Sequence, residues 1–411
     1  YSSFLNVLFI LTAIGTVVTI GLVNADLLGS EITRYKAYVI LALLAIPTNV
    51  LGGFFSHVLA AAQKSRAAAM IAVVTGAVLL ISTYIGISLA KIQGMYLGNV
   101  LAGVLVTVII LIYLKRTLNL PLYDSNIRMF DTLRQNPDII SFSFMLYLAA
   151  ITYSMSFLVA RYYVLKNFGE AEAGLLQAVI AMAMSIGMVL GPTVGLFLTP
   201  IMNRNITKNE KIRTAIEFQK KLTIILSMVA MPFVLFPQLL LTMLYSPLFA
   251  GVGQYVFLFV ISQCILQIVG IYHALLIGFD DLKMYALSAC TGNLFVALLS
   301  WSLAPHYGIL GVAISFMVSR FIVFFMTHTT LRLRHGFSIP GNVYSLMGYS
   351  LLCILIVGVL FNKQKDIYIS ILIVKLFIYM FFVVSLMFFL NKEERSSLYN
   401  LWNRVKLNTN N

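Results

Sequence analysis

Apolar runs of bilayer length recur from one end of this chain to the other, and that recurrence limits the fold more than any other feature. A bilayer core about 30 Å thick needs roughly 20 consecutive apolar residues per helix. Twelve such runs are read from the sequence: 3–23, 37–61, 67–90, 94–114, 140–165, 172–202, 220–245, 250–279, 284–304, 308–331, 343–361 and 367–390. None shows the ten-residue alternation of a barrel strand. In hydrocarbon a helix satisfies its own backbone groups, so the fold class predicted is an all-α polytopic membrane protein. Only 10% of the 411 residues are charged, against about 25% in soluble domains. That excludes a water-soluble or disordered chain.

The formal net charge of +14 would indicate nucleic acid in a soluble protein. Here the basic residues sort by side instead, and no nucleic-acid role follows. The segments 62–66, 115–139, 203–219, 280–283, 332–342 and the tail after 390, with Lys220 and Lys221, hold 19 Lys and Arg. The opposite loops hold six, namely Arg34, Lys36, Lys91, Lys166, Lys363 and Lys365. Positive charge marks the cytoplasmic side, so both chain ends are predicted to be cytoplasmic. The basic amphipathic stretch 204–221 is expected to lie on the anionic inner leaflet. The three cysteines, Cys264, Cys290 and Cys353, stand in apolar runs and form no disulfide framework. Every loop is too short to hold a folded domain.

Two halves of the chain share a layout. His57 precedes Thr75-Gly76, and His273 precedes Thr291-Gly292, with 216 residues between equivalents. Basic ends follow in both, Leu114-Lys115-Arg116 and Leu331-Arg332-Leu333-Arg334. Six helices separate the copies, so they would share orientation, as in a parallel repeat. The organisation predicted is two pseudo-symmetric helix bundles around a central cavity. Residues 1–116 would form an N-terminal bundle and 117–139 a cytoplasmic linker. Residues 140–334 would form a six-helix C-terminal bundle, 343–390 an extra helix pair and 391–411 a cytoplasmic tail. Four helices stand before the linker where six stand after it. With Tyr as first residue, the expectation is twelve spans here and fourteen in a full-length protein.

All 14 acidic residues fall in loops or at span ends, but Arg161, Arg320 and Lys375 fall inside spans. A cation at a helix centre costs about 2.5–3.5 kcal/mol on the insertion scale. Buried bases without buried acids suit an anion brought from outside, above all a phosphate. Arg320 is near a midplane, and Arg161 is close to the outer end of its span. Lys375 is eight residues from an outer end, from where its flexible stem could carry the ammonium to the headgroups. Gln263 and Gln267 are one turn apart on one face, with Gly270 continuing the stripe, and Asn49 and Asn293 are deep in other spans. Such amides either join helices by hydrogen bonds or line a cavity for sugar hydroxyls. His57 and His273 read as structural, since one isolated His makes no metal site. Asp280-Asp281 reads as an N-cap of span 284–304. Pro192 and Pro200 indicate a kinked helix. No G-x-x-x-x-G-K-[ST], H-E-x-x-H or G-x-S-x-G motif occurs, and no cofactor or metal is expected.

Three stretches carry a family resemblance. In RYYVLKNFGEAEAGLLQAVIAMAMSIG (161–187), Phe168, Gly169 and Gly174 form a basic-residue, helix-end, F-G turn. In 275–315, Pro305, Gly308 and Gly311 follow a polar turn, and in FLTPIMNRNITKNE (197–210) Pro200 precedes a basic segment. The chain resembles the O-antigen and lipid-linked oligosaccharide flippases of the multidrug/oligosaccharidyl-lipid/polysaccharide exporter superfamily over about 37–334. The resemblance implies a transporter of the bacterial inner membrane rather than an enzyme. Such a protein moves an undecaprenyl-pyrophosphate-linked repeat unit outward by alternating access, and serves a polysaccharide polymerase machinery. It also implies that basic cavity residues meet the pyrophosphate. Arg161 matches the basic position before the F-G turn; Arg320 is a candidate by position, and Lys375 departs from the pattern. The competing readings are a multidrug or metabolite antiporter of the same superfamily, a membrane glycosyltransferase or polymerase, and a scaffold. Cationic drugs would favour buried carboxylates, and a polymerase a sizeable outward loop; the chain has neither.

Overall fold

The computed structural model describes residues 12, 14–17, 19–21, 36–46, 65–118, 134, 137–361 and 369–390, and the regular elements among them are all helical. In chain order these are α1 (Lys36–Ile46), α2 (Ser65–Leu118), α3 (Pro137–Thr193), a π turn (Val194–Leu198), α4 (Thr199–Met202), α5 (Lys208–Leu235) and α6 (Pro237–Leu244). A 3-10 segment (Pro247–Tyr255) then leads into α7 (Val256–Gly278), α8 (Leu282–His335), α9 (Gly341–Phe361) and α10 (Ile369–Leu386). Among the described residues seven helical stretches are long and apolar enough to cross a membrane, so the chain is a multi-pass membrane protein.

Seven continuous stretches stand where the sequence shows twelve runs, and the breaks inside the longest ones account for part of the difference. α2 and α8 have 54 residues each and α3 has 57. A straight helix of that length would extend about 80 Å, far beyond a bilayer. Each leaves helical geometry once: α2 at Ala90 and Lys91, α3 at Gly169, α8 at Gly308. These breaks fall in or beside the predicted turns 91–93, 166–171 and 305–307. Much of runs 3–23 and 37–61, with Asn49 and His57, lies outside the described residues, as does most of the linker 117–139.

α2 and α8 double back on themselves. A Cβ on Gly86 or Gly94 would run into the other residue's carbonyl, and one on Gly311 into the Leu303 carbonyl. Small residues let membrane helices approach to backbone contact, where packing rather than hydrophobic burial holds them. Equivalent steps of the two hairpins are 217 residues apart, as at Ser65 and Leu282. The spacing is one residue more than between the Thr-Gly pairs.

The chain divides into two compact units, Tyr1–Phe142 and Ser143–Asn411. In the second, α7 is the centre: it packs against α5, α8 and α9, and its most apolar window is 78% buried. Gly358 leaves room for the Phe257 ring and Gly278 for Met202. α5 opens with a capping box, in which the Thr207 hydroxyl accepts from the Glu210 N–H and the Glu210 carboxylate accepts from the Thr207 N–H.

One expectation needs correcting here. Asp281 occupies the N-cap position of α8, but its carboxylate caps nothing. It accepts from Arg334 at 3.2 Å and pairs with His335 at 3.2 Å, tying the start of α8 to its end. Asp280, at φ 61, makes the turn. Arg334 and His335, at the far end of the same hairpin, hold the carboxylate in place of the helix N-terminal N–H groups.

Candidate functional site

Arg320 lies twelve residues past the Gly308 break, on the second leg of α8, and is 4% exposed. Its guanidinium donates to the Asn293 Oδ1 on the first leg at 3.3 Å. The Asn293 amide in turn donates to the Thr152 hydroxyl at 3.3 Å and the Ala149 carbonyl at 3.4 Å on α3. Gly292 matters for this closure, because a Cβ there would overlap the Val323 side chain and sit 3.8 Å from the guanidinium. Tyr153 and His273 are within electrostatic reach of Arg320. His273 is held by a 3.0 Å hydrogen bond to the Ser288 hydroxyl, which itself donates to the Tyr285 carbonyl.

No acid among the described residues pairs with this cation. The ion pairs among the described residues are Arg213–Glu217, Arg334–Asp281 and His335–Asp281, and the Nε of Arg320 is buried without a hydrogen-bond partner. A buried donor left unmade costs about 1–3 kcal/mol, beyond the cost of placing the charge there. A planar guanidinium with one edge on a neutral amide and Nε open can take a carboxylate or phosphate oxygen.

The other candidate residues sit elsewhere. Arg161 is nine residues beyond Thr152 on α3, about 14 Å along the helix. It is half-buried, and its Nε also lacks a partner. Gln263 and Gln267 lie against two glycines of α3. A Cβ on Gly187 would be 2.9 Å from the Gln267 Nε2 and 3.2 Å from the Gln263 Oε1, and one on Gly191 3.4 Å from the Gln267 Oε1. Their amide heads fill a glycine face just before the π turn. Lys375 does not snorkel: it is 0% exposed, with its ammonium 5.9 Å from the Phe236 ring centroid and 5.4 Å from that of Phe361. Cation–π attraction to these two partly buried rings favours the inward position.

The structure therefore joins Arg320 with Asn293, and Gln263 with Gln267, and sets Arg161 and Lys375 in places of their own. Thr152 and Tyr153 complete the Arg320 group without having been singled out. Their one signal was adjacent hydroxyls inside an apolar run. No cluster of three or more His, Cys, Asp or Glu able to hold a metal occurs among the described residues.

No family model matches the chain, and no curated protein matches it either. Solved structures do. A lipid II flippase MurJ in an inward closed conformation superposes with a TM-score of 0.64 at 13% identity, covering 94% of this chain and 82% of that one. A MATE in complex with MaL6 gives 0.63 at 13% identity, covering 84% and 79%. A Pyrococcus furiosus transporter of the MOP superfamily, described as having a binding pocket of reverse polarity, gives 0.63 at 14% identity, covering 82% and 78%. The chain thus has the fold of these membrane transporters.

Proposed function

We propose that this chain is a flippase of the MOP superfamily that carries an undecaprenyl-pyrophosphate-linked oligosaccharide, of the O-antigen repeat-unit type, from the cytoplasmic to the outer leaflet of a bacterial inner membrane. One observation carries the reading: Arg320 is buried beside Asn293 with no acid among the described residues to pair with it. An anion is what such a site lacks, and a pyrophosphate supplies it. Arg161, at another level of α3, and Lys375, on α10, are assigned to the same cargo. Gln263, Gln267, Asn293 and Asn49 are assigned to sugar hydroxyls. The fold shared with a lipid II flippase supports a lipid-linked cargo. The finer organisation is part of this proposal: twelve spans, two repeated bundles (1–116 and 140–334), alternating access, both ends cytoplasmic and a polymerase machinery as partner. An anionic headgroup moving outward gains about 2.3 kcal/mol per charge per 100 mV of inside-negative potential.

The likeness to MATE structures, equal within 0.01 in TM-score, favours a second reading, a multidrug or metabolite antiporter. Charge reversal separates the two. In cells that depend on this chain for surface polysaccharide, Arg320→Glu should abolish export and pile up lipid-linked repeat units on the inner leaflet. Arg320→Gln should reduce export roughly tenfold or more, the loss of a charge-assisted contact worth about 1.5–3 kcal/mol. Arg320→Lys should keep part of it, and membrane levels of each variant provide the folding control. Normal export by Arg320→Glu at wild-type levels would refute the anionic cargo, and resistance to a cationic drug conferred by the chain would establish the antiporter.

A further inference from the structure

At the basic end of the second unit, the seam between α8 and α9 brings together a cation, a phenol and an imidazole that no transport step uses. The His328 Nε2 shares a hydrogen bond with the Tyr344 hydroxyl across the seam, their rings 5.7 Å apart and nearly perpendicular. The His328 Nδ1 is buried without a partner. One turn further along α8, on the same face, Arg332 lies within electrostatic reach of both side chains. It is exposed. The nearby acid Asp281 is already taken by Arg334 and His335, which leaves Arg332 outside every ion pair among the described residues.

The apolar surroundings narrow the choice of ligand. Leu333, between two arginines, is 80% exposed, Phe325 two turns back on α8 is 60% exposed, and Tyr344 is 41% exposed. A free anion in water would gain from Arg332 but not from this apolar surface. A phospholipid brings a charged phosphodiester and a hydrocarbon chain together, and basic pockets between transmembrane helices hold such headgroups. We propose that the α8–α9 seam is a binding site for one anionic phospholipid of the surrounding bilayer. The phosphodiester rests on Arg332 and the Tyr344 hydroxyl, and an acyl chain runs from Leu333 towards Phe325.

The full chain, purified in detergent, tests this by native mass spectrometry with added phosphatidylglycerol or phosphatidylcholine. Wild type should retain one phosphatidylglycerol about tenfold more strongly than phosphatidylcholine, as one charge-assisted contact supports. Arg332→Gln should erase that preference, and Tyr344→Phe should weaken it a few-fold. Arg334→Gln, whose charge already has an acidic partner, should leave it intact. Millimolar glycerol 3-phosphate should not displace the lipid. Unchanged preference in both Arg332→Gln and Tyr344→Phe would overturn the proposal, as would equal retention of the two lipids by wild type. Displacement by glycerol 3-phosphate would make this a site for soluble phosphates and sink the lipid reading. Thermal midpoints measured without added lipid separate a lost ligand from a lost fold.

Discussion

The hairpins α2 and α8 solve the same backbone problem with different residues. Each has 54 residues and turns at an equivalent step, Lys91 with φ 49 and ψ −128 in one and Gly308 with φ 54 and ψ −129 in the other. Their legs are joined differently. In α2 Gly86 meets Gly94 and Gly98 meets the Ser82 carbonyl, with a neutral Thr83–Asn99 hydrogen bond of 2.9 Å across the contact. In α8 Gly311 meets the Leu303 carbonyl and Gly292 meets the Val323 side chain, and the cross-link is Asn293 to Arg320. The step matching Arg320 holds Gly103, whose carbonyl merely accepts from Thr107. Both hairpins use glycines for close packing, but only α8 also houses a cation at its seam. Backbone geometry and chemistry are thus set by separate positions.

The sharpest way to break this comparison is to add a methyl where the legs touch. Gly94→Ala should be the more damaging change, at or beyond the upper end of the roughly 1–3 kcal/mol that overpacking costs. The new Cβ meets a backbone carbonyl on a residue that has no side chain to move. Gly311→Ala should cost less, since its Cβ would lie 2.5 Å from the Leu303 carbonyl. Thermal midpoints in detergent check the order, and a reversed ranking would refute the packing difference. The turn comes next. A Cβ on Gly308 would meet the Phe168 ring at an ordinary 3.5 Å. Gly308→Ala therefore strains the backbone alone, by about 1–2 kcal/mol, and should lower the midpoint by a few degrees.

Much of this was legible because glycines in turns announce themselves. Gly169 and Gly308, two of the residues on which the resemblance rested, are where α3 and α8 leave helical geometry, each with a positive φ. Apolar length located the helices, since lipid leaves a backbone few alternatives. Partners were less legible. Asn293 and Arg320 are 27 residues apart, yet the hairpin sets them side by side, and nothing in the spacing marked Thr152 as the third member. Asp281 looked like a cap because caps are local, whereas Arg334 reaches it only after the chain has gone out and returned. Lys375 looked free to snorkel because sequence does not show Phe236 and Phe361 converging on it. Period and composition report what faces lipid; which buried polar groups meet depends on how the helices cross.

Lys91 is the smallest and most pointed case. A lysine at φ 49 and ψ −128 holds a conformation that a Cβ penalises and glycine adopts freely. Lys91→Gly should relieve about 1–2 kcal/mol of strain and return up to about 1 kcal/mol through the looser unfolded chain. The net lies between nothing and a gain of about 2 kcal/mol, a rise of at most a couple of degrees in the thermal midpoint. The mirror change, Gly308→Lys, should cost at least what Gly308→Ala costs, since the same backbone penalty applies and the longer side chain must also pass the Phe168 ring. If Lys91→Gly instead lowers the midpoint, the lysine side chain is holding the α2 turn through contacts of its own. The two turns would then share a shape without sharing a cause.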